Sequence, residues 1–145
     1  MTHTYIPHCQ AIPLIVSKVS AGFPSPADDY LDSSLNIHEF LVSKPAATFL
    51  VRATGKSMTG IGIHDGDVLV VDKSAKAVDG SVIIACIEGE CLVKRLRIGP
   101  RAVWLEAAHP HYPPIDIGEH LDFAVWGVVV GVVRKHQENG RVCTD

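Results

Sequence analysis

Residues 81–98 read SVIIACIEGECLVKRLRI. Two runs of aliphatic and β-branched residues flank Glu88-Gly89, a tight-turn signal, so the stretch predicts a β-hairpin. Side chains alternate between the faces of a strand. In the second arm Leu92, Lys94, Leu96 and Ile98 share one face, while Val93, Arg95 and Arg97 share the other. The arginines mark their face as the wetter one. The first face is expected to meet the core, with one lysine in it. Two physical readings compete for that lysine. At a strand edge its stem lies along apolar surface and the ammonium reaches water. Away from water the charged form is disfavoured and the pKa falls. Lowering it from near 10.4 to about 7 costs roughly 4–5 kcal/mol, a shift that burial can supply. The neutral amine is then a competent general base.

Working outward, the same β signature recurs after Pro45. TFLVRAT, DVLVVD, AVWLEAA and FAVWGVVVGVV are rich in β formers, and HDGD, VDGS and GPR separate the runs as turns. The expected fold is mainly β: a single compact, curled antiparallel β domain or partly open barrel over residues 31–145. Residues 1–30 carry Pro7, Pro13, Pro24 and Pro26 with little periodicity, and read as an extended N-terminal arm. Apolar residues at 31, 35, 37, 40 and 41 are spaced for one short helix within 31–44. The run FAVWGVVVGVV at 123–133 is too short for a membrane helix, which needs about 20 residues. It is expected to be a long buried strand.

Composition narrows the function classes. The 145 residues suit one domain with its own core. A net charge of −3 argues against broad electrostatic binding to nucleic acid, which needs a basic face, and no direct sequence-specific DNA binding is expected. Cysteines at 9, 86, 91 and 143 form no C-x-x-C pair, so they are expected to be free buried thiols in a reducing compartment. His109-x-His111 lies in a Pro-rich stretch with no cysteine partner nearby and reads as a surface loop. No metal and no cofactor is expected. Val19-Ser20-Ala21 before Gly22 mimics a signal-peptidase site. No Lys or Arg precedes Lys18, however, and AIPLIV is short and holds Pro13. A cytoplasmic chain without membrane attachment is expected.

Residues 53–58, ATGKSM, invite a phosphate-loop reading. That motif needs a glycine five positions before Gly55, where Leu50 stands, in a run that reads as strand. Ser57 instead follows a strand, in a turn between Gly55 and Gly60. Such a turn exposes a hydroxyl and leaves the backbone N–H groups of Ser57 and Met58 as candidate oxyanion donors. Alone, Ser57 is an ordinary turn serine. Joined to an inward-facing Lys94, it fits the Ser–Lys variant of nucleophilic catalysis.

Taken together, these residues resemble the UmuD-type SOS mutagenesis proteins and the self-cleaving C-terminal domains of LexA-type repressors. The resemblance is carried by AGFPSPADDY at 21–30, V-x-A-x-G-x-S-M ending at Met58, DGDVLVVD at 65–72 and VKRL at 93–96. It spans nearly all of the chain from about residue 20. The separations of Ser57 from Lys94 (94 − 57 = 37) and of Gly22 from Ser57 (57 − 22 = 35) fit the family. The resemblance implies Ser57 as nucleophile, Lys94 as general base and the chain's own Ala21–Gly22 bond as substrate. It implies stimulation by RecA filaments on single-stranded DNA. It also implies a homodimer and a product, beginning at Gly22, that joins a UmuC-type Y-family polymerase for translesion synthesis. Two departures stand out. Ala21 occupies a position where UmuD-type sites often carry Cys, and Lys56 one where the family often has an acidic or apolar residue; Lys56 is expected to point to solvent.

The residues support that substrate independently. Ala21 and Gly22 are small enough for a tight cleft, and Gly22 tolerates unusual dihedrals. Pro24 and Pro26 favour an extended segment that can lie along a sheet edge. A LexA-like repressor would need a DNA-binding domain ahead of the site, and 21 residues precede Gly22. A signal peptidase would need a membrane anchor. The rival from another class is a non-catalytic interaction module that binds a translesion polymerase, with self-cleavage slow or lost.

Overall fold

The computed structural model describes residues 12–15, 31–118 and 122–136. The chain divides into two units, 1–43 and 44–145. In the first, β1 (Ile12–Ile15) pairs antiparallel with β2 (Leu31–Leu35), and α1 (Ile37–Leu41) follows. The helix expected within 31–44 is thus confined to five residues. Asp and Ser in LDSSL compete with helical backbone bonds, and pairing with β1 satisfies that run as a strand. Asn36 starts the helix, its side-chain oxygen accepting from the Glu39 N–H at 3.1 Å.

The second unit holds β3 (Thr48–Arg52), β4 (Val68–Asp72), β5 (Val82–Ile87), β6 (Glu90–Ile98), β7 (Val103–Glu106), β8 (Ile115–Asp116) and β9 (Phe123–Val133). They form one seven-stranded sheet in the order β3-β4-β9-β5-β6-β7-β8, with each neighbouring pair antiparallel. The fold is mainly β, as read from the sequence. β3 and β8 are the sheet's edges.

At the β5–β6 hairpin, Glu88 (φ 50°) and Gly89 (φ 83°) are both left-handed. That is the turn whose twist matches two flanking strands. It sets Cys86 opposite Cys91 and Ile83 opposite Lys94. The expectation of free thiols fails here, because Cys86 and Cys91 are joined as a disulfide. They stand five positions apart in sequence, and the two-residue turn brings their Cα atoms to 4.2 Å. That is close to the ~4.5 Å spacing of a non-hydrogen-bonded cross-strand pair.

Alternation along β5 divides the core. Ile84 packs with Ala53, Met58, Ile63, Leu69 and Val71. Ile83, Ala85 and Ile87 pack with Leu96, Leu105 and Ile117. Of the inward face read for β6, Leu96 is buried and Leu92 half-buried, whereas Ile98 is exposed at the strand's end. β9 spans the residues expected of it, but it is not the buried strand anticipated. Only Gly127 is buried along it, and Trp126 (53% exposed) and Val130 (49%) stand out to solvent. Hydrogen bonding places β9 between β4 and β5, yet a central position in a sheet does not cover a strand's two faces. At Gly127 the β9 backbone approaches β4 so closely that a Cβ would lie 2.6 Å from Val71 Cγ1.

Candidate active site

β3 ends at Arg52, and the chain then makes a closed turn that returns at Asp67. Its base is clasped by Ala53 N–H to the Asp67 carbonyl and Gly66 N–H to the Ala53 carbonyl, both 2.8 Å. Arg52 Nη1 donates to the Gly66 carbonyl at 2.9 Å. Gly55 takes φ 88°, a conformation that favours glycine, and its N–H donates to Asp65 Oδ1 at 2.8 Å. Farther on, Met58 plugs the first core cluster at 3% exposure. Anchoring Met58 leaves Ser57, one residue earlier, half-exposed at the surface of the turn. The turn is also held from outside: Gly60 N–H donates to the Ala108 carbonyl at 2.8 Å.

β6 supplies the other half of the site. Lys94 is 8% exposed, and its Nζ lies 2.9 Å from Ser57 Oγ, within hydrogen-bond distance. Of the two readings of this lysine, the structure takes the desolvated one. Burial holds its pKa below the usual lysine value. The Tyr112 ring centroid is 5.5 Å from Nζ and adds an aromatic neighbour. Among the described residues, the N–H groups of Ser57 and Met58 find no acceptor. Both remain available to a developing oxyanion. Lys56, between Gly55 and Ser57, is exposed.

A cleft of about 160 Å³ opens at this point. Val51, Ala53, Ile84 and Leu92 give it apolar walls, and Ser57 and Lys94 stand among its polar lining with Arg52 and Thr54. One wall is the end of β3, which pairs only with β4 among the described strands, so its outer edge is the side on which an extended peptide could pair. Chemically, burial favours the neutral form of this amine, and in that form, set against a hydroxyl, it can take the hydroxyl's proton. The resulting alkoxide is a nucleophile for a carbonyl carbon.

Sequence reading missed a second polar centre beneath the turn. Asp67, 2% exposed, accepts from Arg134 Nε and Nη2 at 2.6 Å each and from the His64 N–H at 2.7 Å. The Arg134 hydrogen bonds, above all, hold its pKa at about 2. Arg134 Nη2 also donates to the Gly62 carbonyl at 2.8 Å. The residue just after β9 thereby braces the turn that carries Ser57. The HDGD run signalled a turn, but nothing in it pointed to Arg134, 67 positions away. Tyr112 likewise had no signal in the sequence. Ala21 and Gly22, the expected cleavage site, lie outside the described residues.

Comparison with known proteins bears on the family of the whole chain. The Peptidase S24-like family model matches residues 13–130. The chain is similar to protein MucA of Salmonella typhimurium, 43% identical over 127 residues that cover 87% of this chain and 86% of the relative. Protein SamA of Salmonella typhimurium strain LT2 is 42% identical over 123 residues, 85% of each chain. The LexA repressor of Pseudomonas chlororaphis is 38% identical over 122 residues, which cover 83% of this chain and 60% of the repressor. With a match of this extent, and relatives this similar over most of their own length, the chain belongs to the Peptidase S24-like family.

Proposed function

We propose that the chain is a self-cleaving serine peptidase of the SOS response, with Ser57 and Lys94 as its dyad and its own Ala21–Gly22 bond as substrate. The observation that carries this reading is the 2.9 Å approach of Lys94 Nζ to Ser57 Oγ, with Lys94 buried at an apolar cleft. Neutral Lys94 takes the Ser57 hydroxyl proton as Oγ attacks the Ala21 carbonyl carbon. The Ser57 and Met58 N–H groups receive the oxyanion. The Lys94 ammonium returns the proton to the leaving Gly22 amine, and an acyl-enzyme remains on Ser57. Water, deprotonated by Lys94, then releases Ala21 as a carboxylate.

In this reading RecA filaments on single-stranded DNA stimulate the cleavage. The product beginning at Gly22 serves as the accessory subunit of a UmuC-type Y-family translesion polymerase. The chain works in the cytoplasm as a homodimer, without membrane attachment or direct sequence-specific DNA binding. The exposed apolar side chains of β9 favour a partner on that surface, and they are also what a purely interacting module would use. One experiment separates the two. Purified protein is incubated from about pH 7 to about 10.5, and near neutrality with RecA, an ATP analogue and single-stranded DNA; products are read by intact mass. A species starting at Gly22, absent in Ser57→Ala and Lys94→Ala, supports the peptidase. If no cleavage occurs in any condition, the interaction module replaces it.

A further inference from the structure

We infer that Cys86 and Cys91 are a redox-reactive modification site: a low-molecular-weight disulfide oxidises this thiol pair to the cystine found here, a dithiol reduces it, and the cross-link fixes the cleft wall that carries Lys94. The redox chemistry is independent of the peptidase reading, whereas its effect on cleavage rests on that reading.

Three observations lead to this site. First, the pair is reachable: Cys91 is exposed and Cys86 half-buried, so small thiols and disulfides have access. Second, the bond is a weaker structural staple than a long-range cross-link. A disulfide restrains the unfolded chain by an amount that grows with the logarithm of the loop it closes, and here the cysteines are only five positions apart. The left-handed turn at Glu88-Gly89 and the hairpin ladder already set this register. Third, Cys91 lines the same cleft as Ser57 and Lys94, and it begins the stretch of β6 that runs to Lys94.

The exchange balances without an outside electron source other than the named oxidant. The Cys91 thiolate attacks one sulfur of the small disulfide and expels one thiolate. The Cys86 thiolate then attacks the Cys91 sulfur of the mixed disulfide and expels the second. Two protein thiols are oxidised, one small disulfide is reduced to two thiols, and the two protons pass to those thiols. In the oxidised state the strand leading to Lys94 is covalently tied to β5. In the reduced state the hairpin's hydrogen bonds and side-chain packing hold it without a covalent tie.

The test has two arms. In the first, full-length Ser57→Ala protein, which cannot cleave itself, is reduced, exposed to glutathione disulfide, alkylated with iodoacetamide and mapped by mass spectrometry. The expected product is an unalkylated Cys86–Cys91 peptide lighter by two hydrogens, with both thiols alkylatable again after dithiothreitol. Alkylation of Cys86 and Cys91 despite the oxidant overturns the site. In the second arm, unmodified protein is compared in its oxidised and reduced states. Preorganisation of the wall predicts self-cleavage about threefold faster when oxidised, and Cys86→Ser should make the rate indifferent to redox state. Equal rates in the two states overturn the coupling. Absence of cleavage in every state overturns the peptidase reading and the coupling together, while the mass map still decides the redox pair.

Discussion

Lys94 is a charge-bearing side chain held where charge is disfavoured. Burial lowers its folded pKa beneath the unfolded value, so between the two values the unfolded chain binds more protons. Stability therefore rises with pH across that window, and the burial penalty acts in full below it. Lys94→Met removes the penalty, and we expect a higher Tm near pH 7 together with cleavage slowed by about 10²–10⁴-fold. A lower Tm for this variant in calorimetry would mean that Lys94 is held by favourable contacts rather than tolerated. The wild-type cleavage rate is expected to climb as Lys94 loses its proton and then level off. A flat profile would remove Lys94 as the base. Asp67 shifts stability in the same direction with pH but from the opposite cause, a favourable ion pair gained rather than a burial penalty relieved. Its pKa of about 2, held down chiefly by Arg134, makes its contribution fully present above the ordinary carboxylate range. That contribution disappears as pH falls toward 2. Arg134→Met should therefore lower the urea midpoint near neutrality, and the gap from wild type should narrow in acid. An equal gap at both pH values would assign Arg134 a role in packing alone.

The element that matters most is the turn from Ala53 to Asp67. It is rigid because several independent ties hold it: the plug of Met58, the Gly55–Asp65 bond, the Arg134–Asp67 brace and the Gly60–Ala108 bond. Gly60 is the most exacting of these. A Cβ there would sit 2.5 Å from the Ala108 carbonyl oxygen, which is backbone and cannot swing aside. Gly60→Ala should cost about 1–3 kcal/mol, as overpacking does. Because the turn must move to relieve the clash, we expect self-cleavage to fall more than that stability loss explains, as measured on protein shown to be folded by circular dichroism. Full cleavage activity in this variant would mean that the turn can shift without moving Ser57. The β5–β6 turn offers a milder test. Glu88 is the one non-glycine residue with positive φ among those described. Asn tolerates that conformation better, so Glu88→Asn should raise stability by about 0.5–1 kcal/mol. A denaturant midpoint lower than wild type would show that the Glu88 side chain contributes more than its backbone strain removes.

At the scale of the whole molecule, β9 is central by hydrogen bonding, yet Val125, Trp126, Val130, Val132 and Val133 remain exposed. Exposed apolar side chains in this number favour association. If the proposed homodimer uses this surface, Val130→Asp shifts the protein from dimer to monomer in sedimentation, and an unchanged profile overturns that use of β9. Much of the fold was legible beforehand. The hairpin at 81–98, the turns and the mainly β class follow from local rules, since β-branched alternation and a Glu-Gly turn act over a few residues. The helix within 31–44 was overestimated because LDSSL found a strand partner in Ile12–Ile15, and a partner distant in sequence leaves no local trace. By itself the sequence determined which residues were candidates, namely a turn serine at 57 and an inward lysine at 94. Only the tertiary structure decided that they meet at 2.9 Å, that Cys86 bonds Cys91, that Arg134 braces the serine's turn and that β9 is uncovered. The reason is physical. Strand and turn preferences are local, whereas contacts across 37 or 67 residues are set by how the sheet packs and which groups it removes from water.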